Sequence, residues 1–353
     1  MIKHQPLRLL VFASFTALMS FFNACAPATY ERPKIDLVWP LPPDEPKIKF
    51  IDMVSSSLDF GKSEGFRAAL FGEENIKGFE KPYGVAVDKA GKIYVSDLGA
   101  VFVLDLQNRD FDFLGTEPGT GRLIMPIGIA ISHDDRIFVA DVAQDRVFVY
   151  SGKKYIAAIG KTGEFDNPTG VAIDHKRGLL YVVDTKKHKV SVYSLSDYSF
   201  IRAFGSRGKE NGQFNFPTNI AVDGEGKVYV VDTANFRIQI FDAEGKFLKS
   251  IGKLGDSPGS FARPKGVGVD SEGHIYAVDT AFQNFQIFDQ DGNLLLFVGG
   301  AGHTPGTFGL PAGLAVDNQD RIYVIDQMPA RLQIFQYLGG KGKIPSVQEQ
   351  KPK

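Results

Sequence analysis

The sequence predicts an all-β protein: a six-bladed β-propeller of four-stranded antiparallel blades, its last blade closed by an N-terminal strand. Three observations carry this. One strand-turn-strand pattern recurs six times, its internal spacing hardly varies, and the sixth copy lacks a fourth strand that a segment near the N-terminus can supply.

The copies begin PYGVAVD at Pro82, PIGIAIS at Pro126, PTGVAID at Pro168, PTNIAVD at Pro217, PKGVGVD at Pro264 and PAGLAVD at Pro311. Each continues through a turn into a second β-rich run that ends in aspartate: Asp97, Asp141, Asp184, Asp232, Asp279 and Asp326. From proline to aspartate the distance is 15, 15, 16, 15, 15 and 15 residues, and successive prolines lie 44, 42, 49, 47 and 47 apart. A period of that size fits one four-stranded blade. The first strand of each copy is small and apolar, as crowding about a central axis requires. The second and third alternate aromatic and aliphatic residues, as in Tyr229, Val231, Ile238 and Ile240, so that blades can pack face to face.

These six copies resemble the NHL repeat, and the resemblance spans about residues 47–338. It implies the propeller fold and leaves the activity open, since the family includes RNA binders, protein-interaction modules, sensor domains and a zinc lyase. The sixth copy stops after its third strand, Leu332 to Leu338. Lys47 to Met53 (KIKFIDM) is expected to complete that blade. Residues 57–82 between this strand and the first copy form an insertion, with Ser63 to Leu70 capable of one or two helical turns.

The domain plan that follows has four parts. Residues 1–24 read as an export signal: Lys3 and Arg8 precede an apolar run, Leu9 to Phe22, that is shorter than the ~20 residues needed to span a bilayer. Cys25 is the only cysteine, so no intrachain disulfide can form. The stretch Phe22-Asn23-Ala24-Cys25 resembles the lipobox of bacterial lipoproteins, which implies lipidation of Cys25 and anchoring through the N-terminal lipid. The alanine after Cys25 favours, by analogy with that family, the outer membrane, facing the periplasm or cell surface. Residues 25–46 are rich in proline and expected to be an extended tether carrying Trp39. Residues 47–340 are the propeller, and 341–353 a polar, disordered tail.

Function is expected to be binding. Net charge is −1, and the cluster of Lys186, Lys187 and Lys189 with Arg207 and Lys209 is local and without interleaved aromatics, so nucleic acid is not expected as a partner. The six repeated aspartates recur once per blade and so suit a structural task, accepting turn N–H groups and pairing with Arg146, Lys189, Arg237 and Arg331. No cofactor is expected. The alternative is a metal-dependent hydrolase or lyase with its site in the central channel, but the histidines divide between the two ends of the ring: His133, His175 and His274 toward one, His188 and His303 toward the other. Asn219 replaces the glycine of the fourth Pro-x-Gly; it is expected to be solvated or bonded to backbone, the other reading being that it points into the channel as a binding residue. Tyr83, Phe236, Phe282 and Met328 lie in loops at one end of the ring. Apolar residues there suit docking of an envelope protein or peptide; covering the underlying strands is the other reading of Phe236 and Phe282.

Overall fold

The computed structural model describes residues 35–60 and 77–339. Cys25, the export signal, residues 25–34 of the tether, the helical turns expected in the insertion and the tail from 341 lie outside the described residues.

Five sheets of four antiparallel strands and one of five make up the fold. In blade four the strands are Pro217–Val222, Val228–Asp232, Arg237–Phe241 and Phe247–Ile251, paired in sequence order. The other blades repeat this pattern, and the first strands of successive blades touch one another around the ring, that of blade six reaching that of blade one. The ring buries its core between blades. Tyr181, Val183, Val190 and Val192 of blade three pack with Ile220, Val228, Val230 and Phe241 of blade four, and similar clusters fill the other junctions.

Closure occurs as the incomplete sixth copy requires. Ile48–Val54 pairs antiparallel with Ala330–Tyr337 as the fourth strand of blade six, burying Ile48, Phe50 and Val54. Part of the expected tether docks on the ring. Val38 and Trp39 pair with Lys49 and Ile48 as a fifth strand, and the Trp39 ring meets Phe335 edge-on at 5.8 Å. The apolar flank of blade six gains cover for its outer strand in this way. Proline lacks the N–H that a ladder donor needs, but the Leu37–Trp39 stretch contains no proline, and its carbonyls accept from the closing segment: Phe50 N donates to Leu37 O and Lys47 N to Trp39 O.

The near-constant spacing from proline to aspartate has a hydrogen-bonding cause. Each aspartate is buried at the end of its second strand and accepts from backbone N–H groups just before the proline of the same blade: Glu80 and Lys81 to Asp97, Ile124 and Met125 to Asp141, Asp166 to Asp184, Asn215 to Asp232, Ala262 and Arg263 to Asp279, Gly309 and Leu310 to Asp326. The carboxylate thus fastens the loop entering the blade. Desolvation pushes the Asp97 and Asp184 carboxyls upward, while these backbone bonds pull the other way. Ion pairs form with Arg237 at 2.9 Å and Arg331 at 3.0 Å. In blade two, Gln144 Nε2 donates to Asp141 instead, while Arg146 is exposed.

A second set of links joins blade to blade. The threonine after the aspartate donates to the carbonyl of the next blade's proline: Thr185 to Pro217 at 2.7 Å, Thr233 to Pro264 at 3.0 Å, and Thr280 to Pro311 at 2.6 Å. Between blades one and two, Ser96 Oγ donates to Ile127 O at 2.6 Å.

Candidate functional site

The first strands enclose a channel with a cavity of about 210 Å³. Its walls are backbone and the small apolar side chains of Val85, Ile129, Val171, Ile220, Val267 and Leu314 and their neighbours. Asn219 is the one polar side chain in that lining. The reason lies in the Pro-x-Gly motif. A Cβ at Gly84 would lie 2.1 Å from Ile127 O, and one at Gly313 2.1 Å from Tyr83 O, because each blade's entry carbonyl presses against its neighbour. Blade four carries a side chain where the other five have glycine. Asn219 Oδ1 accepts from Ile220 N at 3.1 Å, which leaves the amide nitrogen for the cavity.

The residues at the centre of Pro-x-Gly directly precede these lining residues, at the end of each first strand where the proline loops enter. Tyr83 of blade one and Lys265 of blade five meet across blade six, which contributes only the buried Ala312 between them. Lys265 Nζ donates to Tyr83 Oη at 3.5 Å and stands 5.5 Å from the ring centroid. The sequence singled out Tyr83 and Asn219 but not Lys265, whose neighbours are 182 residues away along the chain.

The end of the ring that carries the mouth also exposes apolar side chains. Leu98 in blade one, Ile124 and Met125 entering blade two, and Leu310 and Met328 in blade six are 36% to 56% exposed. These blades are consecutive, and Gly99 N bonds Ile124 O at 3.1 Å, joining two of the loops. Phe216 of blade four is exposed at the same end, edge-on to the His188 ring at 4.8 Å. Sequence reasoning singled out Met328 and not the others. The available signal was an apolar residue directly before a repeat proline, as at Met125, Phe216 and Leu310.

Phe236 and Phe282 are only half-buried or less exposed, and they occupy different places in their turns. Phe236 is left-handed at φ 56° and packs on the core between blades four and five, beside Ile238 and Val267. The matching left-handed residue in blade five is Gln283, at φ 55°, while the Phe282 N–H donates to Asp279.

At the opposite end, His133 and His175 stack face to face with centroids 3.7 Å apart. Desolvation, then the neighbouring His133 and Lys89, bring the His175 imidazole down to about 4. His274 bonds Asp270 through Nδ1 at 2.8 Å, and His188 Nδ1 accepts from Phe216 N. Among the described residues no three His, Cys, Asp or Glu side chains gather as metal ligands.

A family described as 6-bladed beta-propeller matches residues 92–204 and 210–285, more than half of the chain. The chain belongs to this family. Its blades are NHL-type repeats: NHL repeat-containing protein 3 of Homo sapiens is 27% identical over 133 residues, 32% of this chain and 37% of that protein. Protein brain tumor of Drosophila melanogaster is 29% identical over 131 residues, 35% of this chain and 12% of that protein. The 6-bladed beta-propeller therefore spans well under half the length of these relatives. Among solved structures, virginiamycin B lyase from Staphylococcus aureus aligns with a TM-score of 0.55 at 11% identity, over 83% of this chain and 100% of that one. An auxiliary nutrient binding protein from Bacteroides thetaiotaomicron aligns with a TM-score of 0.59 at 14% identity, over 74% and 70%. At these identities the likeness is one of fold.

Proposed function

We propose that this propeller is a binding scaffold of the bacterial cell envelope, exported and anchored through lipid on Cys25, that holds a protein or peptide partner on the end bearing the channel mouth. One observation carries the reading. Leu98, Ile124, Met125, Leu310 and Met328 are exposed in the loops of three consecutive blades at the end that carries the repeat prolines. Contiguous exposed apolar side chains on a soluble frame mark an interaction surface. The nutrient-binding neighbours support binding as the task such a fold performs, and the lipobox-like Ala24-Cys25 supports the anchor.

A paired experiment tests both halves. A photoreactive residue at Met328 is expected to give a discrete crosslinked product in native membranes, while one at Glu225, in a turn at the other end, gives none. Equal labelling from both ends would overturn the assignment of the surface. Cys25→Ser is expected to stop incorporation of labelled palmitate and release the protein into the soluble fraction. Retention of the variant in membranes would overturn the anchor.

A further inference from the structure

The geometry points to a binding site at the channel mouth for a carboxylate with a short apolar body, held by Lys265, Tyr83 and Asn219; this rests on the binding reading above and on none of the exposed apolar loops. Lys265 and Asn219 bring side-chain donors to this end of the channel. An ammonium offers three N–H groups, and Lys265 Nζ has a single contact, to Tyr83 Oη, at the long limit for a hydrogen bond. No carboxylate lies within 4.0 Å of it among the described residues, although the side chain is partly buried. Asn219 Oδ1 accepts from the Ile220 N–H, so its amide nitrogen is the part available to the cavity.

Charge and volume narrow the ligand. Lys81 and Arg263, the residues just before the two prolines, are exposed and add positive charge to the same rim, partly offset by Glu80. One partly buried cation matches a monoanion, and charge-assisted bonds to a carboxylate are the stronger kind. The cavity of about 210 Å³ is smaller than the ~300–1,000 Å³ of pockets that enclose drug-sized ligands. Apart from Asn219, the side chains of its lining are aliphatic. A short hydrocarbon chain or one terminal apolar side chain therefore fits, with the carboxylate left at the mouth. The C-terminus of a peptide and a free short-chain acid share this chemistry.

Calorimetric titration of the purified full chain in detergent with hexanoate and with acetyl-Gly-Gly-Leu, each against its amide, tests the site and separates the sources. At least one acid is expected to bind saturably, and about tenfold or more tighter than its amide. Saturation by the tripeptide alone identifies a peptide terminus, and saturation by hexanoate alone a free acid; both support the site. Lys265→Met is expected to lower acid affinity about tenfold or more and leave amide binding unchanged, while Lys265→Arg retains it. Asn219→Gly installs the residue of the other five blades and is expected to weaken binding at unchanged melting temperature. Equal affinity for acid and amide, no saturation of either acid by about 10 mM, or full affinity in Lys265→Met overturns the proposal. Photocrosslinking from Met328 reports on the apolar loops and is indifferent to these outcomes.

Discussion

The stacked pair His133 and His175 shows how burial, reinforced by a neighbouring ring, shifts a titration. Each ring covers one face of the other, so protonation of His175 places a charge against a desolvating neighbour. Its folded-state pKa of about 4 lies below the ordinary histidine value of 6.5. The unfolded chain then binds the proton more readily, so this residue's contribution to stability is complete above about pH 6.5 and is lost as pH falls toward 4. A proton NMR titration should find His175 neutral down to about pH 4, and His133→Asn should move its midpoint upward. An unmoved midpoint would assign the shift to other neighbours. At this scale the sequence was a partial guide. Asn219 stood out because five glycines surround it in the repeat alignment, whereas Lys265 is one more lysine until ring closure brings Tyr83 to it. A contact made across a whole blade leaves no mark in local spacing.

Between strands, hydroxyls do much of the fastening. Thr280 is buried and its hydroxyl donates to Pro311 O of the next blade. Thr280→Val keeps shape but strands that carbonyl, at a cost of about 1–3 kcal/mol, read as a lower urea midpoint; Thr280→Ser should recover most of it. Unchanged midpoints for both variants would mean that water takes the hydroxyl's place. The elements themselves were legible in the sequence because their register is imposed chemically. An aspartate that must reach the N–H groups before its own proline fixes the length of everything between, hence 15 or 16 residues in all six copies. The exposed residues of the loops obey no such rule. Leu98 and Ile124 sit in turns without periodicity, and only coordinates show that they are neighbours. The fifth strand, Val38 and Trp39, was hidden among prolines that suggested an extended tether.

For the molecule as a ring, the closing strand decides whether the other five blades cooperate. Ile48, Phe50 and Val54 are almost completely buried, and each contributes roughly 1.5–3 kcal/mol of burial. Removing residues 47–54 also opens the edge of Ala330–Tyr337. Calorimetry should then show a broad transition in place of a single cooperative one. A sharp transition at the original temperature would show that blade six stands without its fourth strand. The two-residue strand outside it has a mechanical consequence. Any pull transmitted through residue 35 falls first on Val38 and Trp39, held by two paired positions and the edge-on contact with Phe335. Losing this short clip leaves the pairing of Ile48–Val54 with Ala330–Tyr337 intact, so under load the outlying hairpin is expected to open before the seam of the ring, as a small first rupture in single-molecule pulling.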